Sequence, residues 1–252
     1  MNGEEVYGFN GLQKSVRPGQ FLILNNDQPY SSRINTSEKI KSLSIFFRKE
    51  FAAAVFQDAT QWEETSLDNP FEIRTPALEF FQTLYSLDES FQKLLVGLIT
   101  RLDSREYANH EVDEDLVLLL HHLVRIHKSE VYRSGRVDAI KSGTKAEIYK
   151  RLCIAKDLLH SIFMHKVDLS LVSHAACLSV PQLIRQFKSV FQTTPHQYLM
   201  HVRLDHGARL LKTTDKPITE IAIASGFENS SAFCRAFKTE YGMTPLALRI
   251  RN

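Results

Sequence analysis

The chain has 252 residues, 43% of them hydrophobic, with 31 Lys and Arg against 29 Asp and Glu for a net charge of +2. That composition fills two modest domains with ordinary cores and excludes global disorder, and no apolar run reaches the ~18 residues of a membrane span. The three cysteines, Cys153, Cys177 and Cys234, are far apart in the chain, which excludes a CxxC pair, a disulfide framework and a clustered-cysteine zinc site.

Taken from its start, the chain lacks a basic stretch followed by an apolar run, so no secretion signal is expected and the reducing cytoplasm is the expected home. Residues 17–47 read as strands. The apolar stretch 20–24 follows the turn signal Arg17-Pro18-Gly19, 25–29 is a turn cluster, and 39–47 partly alternates. Residues 51–56 suit a short helix. From Pro76 the spacing turns helical: Leu78, Phe81, Leu84 and Tyr85 share one face, and Phe91, Leu94, Leu95, Leu98 and Ile99 another. The stretch 111–128 starts acidic and ends with His127 and Lys128, which complements a helix dipole. Its leucines, Leu116, Leu118, Leu119, Leu120 and Leu123, suit either a core helix or a subunit interface. Residues 134–143 are polar with two glycines and read as a linker. A long helix is then expected over 144–166.

The last part of the chain repeats itself. Leu169, Val172 and Leu178 recur as Ile218, Ile221 and Phe227 at an offset of 49, by count along the sequence. Leu183, Arg185, Phe187, Lys188 and Pro195 recur as Phe233, Arg235, Phe237, Lys238 and Pro245 at an offset of 50. The second copy therefore holds one extra residue, which a turn tolerates and a helix does not. Each copy spells helix, tight turn, helix. Ser170 and Thr219 are the expected caps of the first helices, and Ser179 and Asn229 of the second, with Pro181 tolerated in a first turn. Gly226 supplies a positive φ at the turn, and Phe227 fills the gap behind it. Leu183/Phe187 and Phe233/Phe237 lie four apart and face inward, which turns Arg185 and Arg235 outward. With Arg185, the expected outward side of the first copy is Pro181, Gln182, Ile184, Gln186 and Lys188. In the second it is Ser230, Ser231, Cys234, Arg235 and Lys238. Thr194-Pro195 and Thr244-Pro245 each open a following helix, and 195–211 forms a rod between the copies.

These elements predict an α+β chain: an N-terminal part, 1–133, of partial β structure plus helices, the linker 134–143, and an all-α part, 144–252, with two tandem helix-turn-helix units. The charge divides along the same line. Residues 1–143 hold 16 basic and 21 acidic side chains, net −5, and residues 144–252 hold 15 and 8, net +7. A basic pair of helix-turn-helix units on one rod fits double-stranded DNA, with two helices entering successive major grooves roughly 34 Å apart. The DNA-contacting residues expected on this reading are Pro181, Gln182, Ile184, Arg185 and Lys188, with Ser230, Ser231, Cys234, Arg235 and Lys238.

The motifs Phe187-Lys188, Thr194-Pro195 to Tyr198-Leu199, Arg203-Leu204, Ile218 to Phe227, Phe233 to Lys238 and Tyr241 to Pro245 together resemble the AraC/XylS family of bacterial transcription regulators. The resemblance covers about 150–252 and is stronger in the second unit. In the first, Ser173 stands where the family often has Ala, and Cys177 where it often has Gly. The resemblance implies that the second helix of each unit reads DNA, with Arg185 and Arg235 nearest the bases and Lys188 and Lys238 on phosphate. It implies a cupin-like N-terminal part, for effector binding and dimerisation, over 1–133, the alternative being a dimerisation domain that binds no ligand. It also implies an activator rather than a repressor, a homodimer, a small-molecule effector and RNA polymerase as a partner. A protein-interaction adapter that has lost base readout is the alternative.

No catalytic residue, cofactor or metal is expected. The chain lacks GxSxG, HExxH and GxxxxGK[ST] motifs. None of the ten histidines precedes His110. His121 and His122 point to different sides of a helix, and His160 and His165 are poorly spaced for one ligand face. His196, His201 and His206 suit either phosphate contact or plain surface. Cys234 on a reading helix also admits a redox switch, without an obvious resolving partner.

Overall fold

The computed structural model describes residues 4–9, 11–34, 42–60, 79–104 and 109–250. They divide into two compact units, Met1–Arg133 and Ser134–Asn252.

Among the described residues, two small antiparallel sheets lie in the first unit. Strands β1 (Glu5–Phe9), β2 (Leu12–Val16) and β4 (Ser31–Ile34) form one, in the order β2-β1-β4. Strands β3 (Gln20–Leu22) and β5 (Leu84–Ser86) form the other, with Phe21 opposite Tyr85. Their rings stack at 5.3 Å, a cross-strand pair that fixes the register. Among the described residues no sheet closes into a barrel.

The helices among the described residues of this unit are α1 (Lys49–Thr60), α2 (Glu89–Asp103) and α3 (Asn109–Gly135). Asp88 caps α2 by accepting from the Phe91 amide at 2.8 Å. Arg101 on α2 holds Asp115 at 2.9 Å and Glu111 at 3.1 Å, both on α3. Between them lies the core of Val55, Phe91, Leu98, Leu119, Leu120 and Leu123, with Phe21 packed against it. Four of the five α3 leucines thus serve the core or its edge, and Leu118 is half exposed.

Several expectations change here. Strands β1 and β2 were not foreseen. Residues 42–48 have no regular structure, and 39–41 lie outside the described residues. Leu84 and Tyr85, read as helical, are strand, because pairing with β3 is a long-range gain that local spacing does not report. Residues 76–78 of the same expectation lie outside the described residues.

The described residues of the second unit form helices without strands: α4 (Ser142–Ser161), α5 (Leu169–Ala175), α6 (Val180–Phe191), α7 (Pro195–Thr213), α8 (Ile218–Ala224), α9 (Ser230–Tyr241) and α10 (Pro245–Ile250). Helix α4 ends short of Lys166. Phe163 turns inward there, is 1% exposed, and meets His206 at 5.0 Å between ring centroids. The segment read as a linker is docked rather than free. Val137 is buried, the Ser189 hydroxyl donates to the Arg136 carbonyl at 2.8 Å, and Gln186 binds both backbone groups of Asp138.

Candidate nucleic-acid interface

The two repeats make matching backbone hydrogen bonds at their turns. Leu178 N–H donates to Ser173 O at 2.9 Å, and Phe227 N–H to Ala222 O at 3.0 Å. Ala176 N–H reaches Val172 O at 3.1 Å, and Ser225 N–H reaches Ile221 O at 2.9 Å. These are the same bonds shifted by 49 residues. Cys177 takes φ 50° where Gly226 takes φ 78°, so the first turn keeps its shape with a side chain in the left-handed region. A residue other than Gly there carries about 1–2 kcal/mol of strain. The extra residue of the second copy is Glu228, between the turn and the cap Asn229.

Both second helices are twelve residues long and end in a left-handed residue, Gln192 at φ 59° and Gly242 at φ 69°. Ser179 caps α6 and Asn229 caps α9, accepting from Gln182 N–H at 3.4 Å and Ala232 N–H at 2.8 Å. The first helices are capped otherwise than expected. Asp168 rather than Ser170 accepts at the start of α5, and α8 starts after Pro217 with no side-chain cap, so Thr219 has no capping role. Thr194 and Gln197 close a capping box on α7, and Thr244 Oγ1 accepts from Ala247 N–H at 3.2 Å.

Leu183, Phe187, Phe233 and Phe237 are fully buried. Their burial turns the other faces of α6 and α9 outward. Pro181, Ile184, Arg185 and Lys188 are exposed on α6, and Gln182 is half-buried. On α9, Ser231, Arg235 and Lys238 are exposed, while Ser230 and Cys234 are half-buried. Cys234 packs against the core formed by Phe227, Phe233 and Phe237, so it is less outward than expected. Gln186 leaves the outward face altogether at 1% exposure: its Oε1 accepts from Asp138 N–H at 3.0 Å and its Nε2 donates to Asp138 O at 3.1 Å. The clue was its spacing, since 186 lies three past Leu183 and four before Val190.

Helix α6 carries no acidic residue. On α9 Glu240 is held by His201 at 2.9 Å, and Tyr241 donates to Asp205 at 2.6 Å. Burial, with the Asp205 carboxylate beside it, raises the Tyr241 phenol well above its ordinary range, so it stays a donor. Arg203, noted in the sequence only as a motif residue, is half-buried and donates to two backbone carbonyls. Burial lowers its pKa and the Glu228 carboxylate opposes that, leaving a guanidinium that is always charged.

Among the described residues no three His, Cys, Asp or Glu side chains gather to hold a metal, and no helix is long and apolar enough to cross a membrane. Cys153 is buried, Cys177 exposed, and neither is bonded to another cysteine.

A family model described as a helix-turn-helix domain matches residues 172–251. The chain is 28% identical over 182 residues to the probable transcriptional regulator LumQ of Photobacterium leiognathi, across 70% of this chain and 66% of that protein. It is 29% identical over 192 residues to a putative AraC-like transcription regulator of Streptomyces antibioticus, across 75% and 60%. The matched region thus spans under two thirds of either relative. A solved AraC-type regulator from Chromobacterium violaceum is similar over 44% of this chain and 96% of its own, at 25% identity and a TM-score of 0.39. The two curated relatives are named as transcription regulators and neither as an enzyme. The matched domain is a helix-turn-helix domain, and over most of its length the chain is similar to transcription regulators, one of them AraC-like.

Proposed function

We propose that this regulator binds double-stranded promoter DNA sequence-specifically, with α6 and α9 in successive major grooves of one DNA face. The observation that carries the reading is the duplication of scaffold and outward arginine together. Arg185 and Arg235 hold the same position relative to a buried pair on two equally capped helices. Nineteen residues of α7 span roughly 28 Å, which suits two units held about one DNA turn apart. Arg185 and Arg235 are placed to contact guanine. Pro181, Gln182, Ile184, Ser230, Ser231 and Cys234 lie beside them, and Lys188 and Lys238 serve phosphates.

The N-terminal part, 1–133, joined over 134–143 to the DNA-binding part, 144–252, serves as a cupin-like module that binds a small-molecule effector and pairs two chains. Family likeness favours an activator working in the cytoplasm with RNA polymerase. The test is selection of duplexes from a random pool by the full chain, run beside Arg185→Ala and Arg235→Ala. A two-part site is expected, with each variant relaxing one part at a cost of ~1–3 kcal/mol. Salt-sensitive binding without enrichment would refute base readout and leave phosphate contact alone.

A further inference from the structure

The helical rod α7 is not the sole tie between the two helix-turn-helix units. Arg203, on that rod, donates from Nε to the Phe163 carbonyl at 2.8 Å and from Nη2 to the His165 carbonyl at 2.9 Å. Both carbonyls belong to the connection between α4 and α5, at the entry to the first unit. The turn of the second unit rests on the same spot. A Cβ built on Gly226 would lie 2.5 Å from Phe163 O, 2.9 Å from Arg203 Nε and 3.0 Å from Met164 Cα. Backbone of one unit therefore touches backbone of the other, with the guanidinium alongside. Beneath them the Phe163 ring meets His206, whose Nδ1 is 3.3 Å from the buried Ser225 hydroxyl.

A rod joined to two bodies leaves each free to swivel about its end, and a second contact away from the axis removes that freedom. A guanidinium suits the task, because its planar fork binds two carbonyls in a fixed direction, where an ammonium is a point donor. Resting on the tandem reading above, we infer that Arg203 is a positioning residue for specificity: by locking the entry of the first unit to the turn of the second, it sets the one half-site spacing that the chain accepts. Each base pair added between half-sites moves the second by roughly 3.4 Å and about 34° around the DNA axis, so a locked pair of units discriminates spacing and a loose pair does not.

The experiment uses the full chain and duplexes carrying the two half-sites obtained by selection with it, with the spacer lengthened or shortened one base pair at a time. Wild type is expected to bind one spacing roughly tenfold more tightly than its neighbours, comparable to a lost base contact. Arg203→Met is expected to flatten that profile to within about threefold while binding a single half-site as wild type does. Arg203→Lys, with charge but no fork, should fall between. If Arg203→Met loses its helical structure on circular dichroism, Arg203→Lys alone decides. A wild-type spacing profile in the folded variants overturns the inference and leaves tandem readout standing. A wild-type chain that selects no two-part site overturns tandem readout itself and the inference with it.

Discussion

Two glycines in helix interiors should respond to the same substitution in opposite ways. Alanine is favoured over glycine inside a helix by about 1 kcal/mol, from backbone entropy alone. Among the described residues nothing lies within 4 Å of where the Cβ of Gly97 in α2 would stand, so Gly97→Ala should gain up to about 1 kcal/mol. Gly207 in α7 is different. Its Cβ would lie 2.7 Å and 2.9 Å from Phe233 Cε2 and Cζ, and 3.2 Å from Ser225 Oγ. Carbon atoms rest at about 3.5–4.0 Å, so the ring must move by most of an ångström. It has nowhere to go, since Phe233 is fully buried between Phe227 at 5.2 Å and Phe237 at 5.4 Å. Overpacking of this kind costs about 1–3 kcal/mol. Set against the helix gain, Gly207→Ala should lose about 1 kcal/mol net. Thermal unfolding followed by circular dichroism reads both, at roughly 3–6 °C for each kcal/mol in a unit of this size. A rise in Tm for Gly207→Ala matching that of Gly97→Ala would refute the tight contact between α7 and α9.

Gln186→Ala removes both bonds to Asp138, whose backbone then turns to water, so the loss should be about 1–2 kcal/mol. Hydrogen exchange at the Asp138 amide should speed up, and unchanged exchange would mean that the pair holds nothing. His127 gives the first unit an acid sensitivity. Among the described residues its buried Nδ1 has no hydrogen-bond partner, its ring packs edge-to-face with Phe56 and Phe80, and burial lowers its pKa below 6.5, with Glu130 opposing. The unfolded chain then binds the proton more readily than the folded one, so stability is full above 6.5 and falls as pH drops below it. His127→Phe should flatten part of that fall in urea titrations at pH values on either side of the histidine range. A slope equal to wild type would place the acid sensitivity elsewhere.

The turns between α5 and α6 and between α8 and α9 were legible because every level of the sequence agrees there. The inward pairs Leu183/Phe187 and Phe233/Phe237, the caps Ser179 and Asn229, and the left-handed Gly226 all specify the same turn. Locally ambiguous signals failed. Strand β2 buries Lys14 and Ser15 rather than its apolar residues, so it shows no alternation to read. Strand β5 is three residues whose identity is settled by β3, far away in sequence. Gln186 was placed outward because it is polar, although its spacing put it on the buried stripe. Arg203 was visible only as part of a motif, since the carbonyls it binds, Phe163 and His165, lie where a helix was expected to continue.

The two repeats share turn bonds, caps and inward pairs and differ on their outward faces, and the reason lies in what each position has to do. Turn bonds, caps and inward aromatic positions recur because each maintains the angle between two helices. At an offset of 50 the outward Arg185 and Lys188 recur as Arg235 and Lys238, while Pro181 becomes Ser231 and Ile184 becomes Cys234. An exposed isoleucine offers an apolar contact of the kind that meets a thymine methyl. The smaller, half-buried cysteine is partly spent on the core of its own unit. On the proposed reading, the shared arginine and lysine give the two half-sites a common guanine and phosphate register. The unshared pair makes the half-sites unequal, and inequality lets one chain bind in a single orientation. An oriented protein on a promoter presents one defined face to whatever binds beside it. On the proposed reading, coupling through Arg203 fixes the distance between the half-sites, and the unequal outward faces fix their order.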